Sequence, residues 1–194
     1  MPSPSPQPDR VRLAWPVLIR AAAALAFGGA TVFWGRPTTA GAAWVFAAYV
    51  WLLLADEVWL LRSERPGPSR GSALTGLVGF ALAAIAAVVP LVAPADGVLA
   101  GTGAAALVLV GASDVARGLI ARRAPSSGVA PLARDLLLVG IVTVGAGILL
   151  PFFAGLGPHA ILGVAGGAAV IAGVLLAIAG LSLRHDAAAA ARVA

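Results

Sequence analysis

Six long apolar stretches, separated by charged residues and Gly/Pro-rich turns, take up most of this 194-residue chain. Each is about 20–25 residues long, and an α-helix of that length crosses the roughly 30 Å hydrocarbon core of a bilayer. The stretches are too long and too continuously apolar for the alternating strands of a membrane barrel. The sequence therefore predicts an all-α, integral membrane six-helix bundle. The predicted helices lie near Ala14–Trp34, Gly41–Leu61, Ser72–Ala93, Gly97–Ile120, Leu132–Phe153 and His159–Leu183.

The segments outside these helices are short. Four prolines among the first eight residues disfavour a helix there, so residues 1–13 are predicted to be a disordered tail in the cytoplasm. Residues 14–184 form the predicted membrane domain, and residues 185–194 form a short C-terminal tail.

The basic residues are distributed unevenly between the two sides of the predicted bundle. All thirteen are Arg, and Arg36 is the only one in a loop that follows the first, third or fifth helix. Arg residues are enriched in cytoplasmic loops of membrane proteins, so both chain termini are predicted to be cytoplasmic. The absence of Lys and the excess of Ala, Gly and Pro suggest a GC-rich bacterial genome. The Arg residues in the other loops and the final tail are Arg62, Arg65, Arg70, Arg122, Arg123, Arg184 and Arg192.

The six helices also show a threefold repeat. Pro37, Pro94 and Pro151 are each 57 residues apart, and each follows or ends the first helix of a pair. The second helix of every pair ends in Arg. This pattern predicts three helical hairpins with tight outer turns. Their approximate ranges are 14–62, 72–123 and 132–184.

Two stretches of the chain resemble the HdeD-type acid-resistance membrane proteins, whose domain is a short repeat of unknown function. They are LAFGGATVFWGRP with residues 47–62 after it, and VGAGILLP with residues 166–184 after it. The middle hairpin departs from the pattern because Pro90 and Pro94 are both candidates for the turn. The resemblance implies six helices in the bacterial inner or plasma membrane and a part in acid stress. It supplies no catalytic residues.

Seven ionisable residues lie within the apolar stretches and are the candidate intramembrane polar cluster. A charge at the centre of a membrane helix costs about 2.5–3.5 kcal/mol on insertion scales, so such residues are normally paired or face the interior. Asp114 lies deepest, roughly 12 Å from the helix end. Its predicted partner is Arg117, one turn away, and we expect Arg20 or Arg134 near Asp56 or Glu57. The seven residues are Arg20, Asp56, Glu57, Asp114, Arg117, Arg134 and Asp135.

The second helix has a recognisable polarity around its axis. Trp44, Trp51 and Trp59 fall within about 80° of one another at 100° per residue, which indicates a stripe facing lipid or another helix. Glu57 points roughly opposite this stripe, whereas Asp56 shares a face with Tyr49. Glu57 is therefore the better candidate for facing the bundle interior.

Two functions remain open for the polar cluster. One is a set of ion pairs that fixes helix packing, and the other is a site that binds an ion or moves a proton. A transporter usually places polar groups near the membrane midplane. The outer halves of these helices offer only Thr31, Tyr49, Thr102 and His159. The sequence therefore favours a stress-related protein with a structural or partner-binding role. The alternative is a narrow transporter or channel for protons or a small neutral solute.

No further motif indicates an enzyme. The chain lacks Cys, a phosphate-binding loop and a plausible Ser/His/Asp set, so no catalytic residue, metal or cofactor is predicted. Its dispersed Arg residues do not suggest nucleic-acid binding. The expected partner is the lipid bilayer, with a homo-oligomer or another membrane protein left open. The pairs Gly97/Gly101 and Gly163/Gly167 are predicted to pack within the chain rather than in a dimer.

Overall fold

A computed structural model of the protein describes residues 7–63, 70–123 and 129–193. These ranges are helical and contain no strand. Six helices within them are long and apolar enough to cross a membrane, counting α3 and α4 as one interrupted span. The prediction of an all-α six-helix membrane bundle is confirmed. The helices are α1 (Gln7–Phe33), α2 (Thr39–Ser63), α3 (Arg70–Ala86), α4 (Val89–Val92), α5 (Asp96–Arg123), α6 (Ala133–Leu149) and α7 (Pro158–Val193), with 3-10 segments at Ala130–Leu132 and Leu150–Leu156.

The first and last helices extend beyond their predicted bounds. Helix α1 begins at Gln7 rather than Ala14, so residues 7–13 are helical and not part of a disordered tail. Pro8 occupies the first turn, where a backbone N–H has no partner within the helix and proline is tolerated. Helix α7 continues to Val193 through a run of Ala, the residue with the highest helix propensity. Residues 1–6 lie outside the described ranges.

The third span is interrupted next to Pro90. Helix α3 ends at Ala86, a turn follows, and Pro90 lies in the first turn of α4. The Val88 N–H donates to the Ile85 carbonyl at 3.1 Å, a tighter pattern than that of an α-helix. Because proline has no N–H to donate, the regular hydrogen-bond ladder cannot continue through it.

The two ends of the bundle differ in their connections. One end holds three short turns, at residues 34–38, 93–95 and 157, and is called the turn end below. Gly157 there has φ of +84°, a conformation that residues with a Cβ rarely adopt. The opposite end, where α2, α5 and α7 carry Arg62, Arg122 and Arg184, is called the Arg-rich end.

Two of the main helix contacts join different predicted hairpins, since α1 packs along α7 and α5 packs along α6. A third lies within the middle hairpin, where α3 packs on α5. At the α5–α6 contact the backbones nearly touch, since a Cβ on Gly111 would lie 2.7 Å from the Gly140 carbonyl oxygen. Small residues thus allow close helix approach. The threefold repeat itself stays a prediction.

The glycine pairs that the sequence singled out do not provide these contacts. A Cβ on any of them would meet no heavy atom within 4 Å, and all are exposed on α5 or α7. The expectation that they pack within the chain was therefore wrong, because both pairs lie on outward faces of their helices. The four residues are Gly97, Gly101, Gly163 and Gly167.

Large apolar side chains cover the outside of the bundle. Trp44, Trp51 and Trp59 are 64%, 51% and 44% exposed, so the tryptophan stripe of α2 faces outward. Exposed Val, Leu, Ile and Phe side chains occur on every spanning helix. This surface suits contact with lipid and not with water.

Candidate functional site

A buried ion pair joins α1 to α5. Arg20 donates two parallel hydrogen bonds to Asp114, from Nη1 to Oδ1 at 3.0 Å and from Nη2 to Oδ2 at 2.5 Å. The Arg20 side chain is 6% exposed and that of Asp114 is fully buried. Two-pronged pairing of this kind fixes direction as well as distance, so it restricts how α1 can lie against α5.

A second buried ion pair joins α5 to α2. Arg117 donates from Nη1 to Glu57 Oε1, and both side chains are at most 1% exposed. The predicted pairing of Asp114 with Arg117 was therefore wrong. A local pair on α5 would have left Arg20 and Glu57 buried without these partners, whereas the crossed arrangement pairs all four charges.

Asp56 lies beside these pairs. It is 5% exposed, and its buried Oδ1 accepts no hydrogen bond from the described residues. It interacts electrostatically with Arg20, Glu57, Asp114 and Arg117. Arg20 in turn interacts electrostatically with both Asp56 and Glu57. The buried cluster, as the term is used below, consists of Arg20, Asp56, Glu57, Asp114 and Arg117.

The other two residues of the predicted polar cluster lie elsewhere. Arg134 is exposed near the start of α6. Asp135 is half-buried and, with Ser182 and Asp186, lines a surface cleft of about 330 Å³ between α6 and α7. Arg134 and Asp135 are consecutive residues of α6, so their side chains point in different directions. That of Arg134 points outward and that of Asp135 lies beside α7.

The polarity of α2 is largely as the sequence indicates. Glu57 faces the interior, opposite the outward tryptophans. Asp56 is also buried, on the face it shares with Tyr49. The Tyr49 ring stacks on Phe27 with centroids 4.2 Å apart. Because Asp56 and Glu57 are adjacent and both buried, more than one face of α2 is covered by neighbouring helices.

Two uncharged residues of α3 pack against the buried cluster, and neither was predicted from the sequence. A Cβ on Gly76 would lie 2.7 Å from both Arg117 Cδ and Glu57 Oε1, so any larger residue there would require this ion pair to shift. The Phe80 ring centroid lies 5.1 Å from Arg20 Cζ, a cation–π contact. A search for charged residues overlooks both. The available signal was the small-residue face of α3 made by Gly76, Gly79 and Ala83.

Hydroxyl groups farther toward the turn end are bonded within their own helices. Thr31 donates to the Gly28 carbonyl and Thr143 to the Val139 carbonyl, at 2.7 and 2.8 Å. Thr102 donates to Val98 at 2.7 Å. Ala, Phe, Leu and Val dominate the buried residues between them. Among the described residues, polar side chains therefore form no continuous line from the buried cluster to the turn end.

The described side chains include no group of three or more His, Cys, Asp or Glu arranged to hold a metal ion. Comparison with protein-family models, curated proteins and solved structures finds no match to this chain. The chemistry of the site therefore has to be inferred from its own geometry. Carboxyl and guanidinium groups at hydrogen-bond distance can hold helices together and can hold a proton.

Proposed function

We propose that this chain is a multi-pass membrane protein of the acid-resistance type, with a structural or partner-binding role and no enzymatic activity. The proposal rests on two buried ion pairs, Arg20–Asp114 and Arg117–Glu57. Together they connect helices α1, α2 and α5. The resemblance of the first and last hairpins to the HdeD-type family supplies the link to acid stress.

The ion pairs support a structural role because of their position. Breaking a buried ion pair costs about 3–5 kcal/mol, since the remaining charge is left without compensation. Helices α1, α2 and α5 are therefore held in one relative arrangement, with Gly76 and Phe80 of α3 packed over the charges.

The interior beyond the ion pairs favours this role over transport. Phe27, Phe46 and Leu99 are among the buried residues of the core toward the turn end. Phe27 and Phe46 meet edge to face with ring centroids 6.3 Å apart. A transport route needs polar groups or water across the midplane. The apolar packing of this core leaves few polar groups and little space for water.

The location follows from the charge distribution. We place the chain in the bacterial inner or plasma membrane with its Arg-rich end and both termini in the cytoplasm. The buried cluster then lies in the cytoplasmic half. The partner is a second copy of the chain or another membrane protein.

Two measurements test the proposed function. Removal of the gene should lower survival after acid exposure, and the wild-type chain should restore it. Purified protein in liposomes under an imposed pH gradient should give the proton flux of protein-free liposomes. Flux well above that control would instead support the alternative, a narrow transporter or channel for protons. Unchanged survival of the deletion strain would contradict the acid-resistance role.

A further inference from the structure

An apolar groove lies on the outside of the bundle between α5 and α6. The two helices approach closely on its inner side, where a Cβ on Gly140 would lie 2.6 Å from the Gly111 carbonyl oxygen. Toward the outside, small residues such as Ala112 and Gly145 leave the space between the helices open. The resulting groove has a volume of about 550 Å³.

The lining of this groove is made of apolar residues. It extends from Ala112 to Leu119 on α5 and from Ile141 to Ile148 on α6. Each stretch is about 10 Å long at about 1.5 Å per residue. Both stretches lie within membrane spans, and the four residues at their ends are exposed. The groove therefore opens toward the hydrocarbon chains of the bilayer.

Exposed arginines continue both walls of the groove toward the Arg-rich end. Arg122 and Arg123 follow Leu119 by three and four residues, so they lie on the same face of α5 one turn farther on. Arg134 precedes Ile141 by seven residues, which is two turns along the same face of α6. The α5 span ends at Arg123, so these guanidiniums lie at the level of the lipid headgroups.

We propose that the groove and its arginines bind one anionic phospholipid, with an acyl chain in the groove and the phosphate at the Arg-rich end. A guanidinium donates two parallel hydrogen bonds to phosphate oxygens, and basic residues beside membrane helices attract anionic headgroups. A zwitterionic lipid carries a cation next to its phosphate, which the arginines repel. This site goes beyond the structural role proposed above and does not depend on it.

Arg122 and Arg123 are the principal headgroup contacts. Arg134 interacts electrostatically with Asp135, its neighbour in sequence, so part of its charge is already compensated. Asp135 itself lines the cleft on the α7 side of α6 and not this groove. The arginines of α5 thus carry most of the positive charge that the headgroup meets.

The same arginines argue against a second copy of the chain as the occupant of the groove. Two copies inserted in the same direction and related by a twofold axis would place identical faces together at the same depth. Arg122 and Arg123 of each copy would then face those of the other, and like charges brought together across an interface are unfavourable. A lipid phosphate at this level instead compensates them.

Native mass spectrometry of the purified full chain in detergent tests the headgroup contact. The probes are phosphatidylglycerol and phosphatidylcholine with identical acyl chains, and we expect the former to bind more tightly. Arg122→Gln combined with Arg123→Gln should weaken phosphatidylglycerol binding about thirtyfold, from about fivefold for each Arg near a membrane surface. Equal binding of the two lipids by the wild type would overturn the site.

The matched control for charge is Arg62→Gln combined with Arg192→Gln. It removes the same charge from α2 and α7, which do not line the groove, and should bind phosphatidylglycerol like the wild type. An equal loss of binding in the two double variants would show that net charge alone attracts the lipid, and it would overturn the assignment to α5.

Gly145→Leu tests the groove separately from the arginines. A Cβ at Gly145 meets nothing within 4 Å, so the helix accepts a side chain that fills the groove. Phosphatidylglycerol binding should weaken, whereas Gly163→Leu, at an equally open position on α7, should leave it unchanged. Unchanged binding by Gly145→Leu would overturn the placement of the acyl chain.

The same spectra report the oligomeric state. We expect lipid-bound monomers. A wild-type dimer that Gly145→Leu dissociates would assign the groove to a second copy and overturn the lipid site. None of these readouts depends on acid survival or on liposome flux, so they fail or succeed separately from the proposed function.

Discussion

Arg20 and Asp114 are 94 residues apart in sequence, yet their side chains meet in a two-pronged, buried ion pair. The pair connects the first spanning helix to the fourth. Phe80 of α3 covers the guanidinium on one side. The relative position of α1 and α5 is thus set by a directional polar contact inside a largely apolar bundle.

Removing one member of this pair should destabilise the bundle. Arg20→Leu leaves Asp114 buried without its partner, and the expected loss of about 3–5 kcal/mol corresponds to a fall of about 10 °C in Tm. The double variant Arg20→Leu, Asp114→Leu removes both charges and should recover most of the loss. Thermal unfolding in detergent checks this. A double variant as unstable as the sum of its single variants would show that the two residues do not act as a pair.

Filling the space at Gly76 should disturb the second ion pair. Alanine there would push against Arg117 and Glu57, so Gly76→Ala should lower the Tm by several degrees. The matched control is Gly145→Ala on α6, where a Cβ meets nothing within 4 Å. It should be neutral or stabilising by up to about 1 kcal/mol, since alanine favours a helix more than glycine does. Equal effects of the two substitutions would contradict a special role for Gly76.

The orientation can be measured with single cysteines, because the chain has none of its own. Cysteines at Gly67 and Ser126 should react with an impermeant reagent only from the cytoplasm. A cysteine at Asp96 should react only from outside, as the Arg distribution requires. Labelling of Ser126 from outside intact cells would reverse the proposed topology.

Much of the candidate site was predictable from local sequence, but its connections were not. Burial of Glu57 follows from its angle relative to the α2 tryptophans. The partner of Asp114 does not, because sequence spacing offers Arg117 and cannot show that Arg20 from another helix reaches the same depth. Gly76 and Phe80 carry no charge, so only the packing of α3 against α5 reveals that they shape the cluster.

The amino-acid sequence by itself determined the class of the fold, since six apolar stretches of this length can satisfy their backbone hydrogen bonds in a bilayer only as helices. It also determined the break at Pro90, which depends on a missing N–H. Tertiary structure alone decided which glycines permit close contact and which charges pair. Those outcomes depend on distances between helices that are far apart in sequence. A buried charge is stabilised only when a partner from another helix offsets the cost of removing it from water.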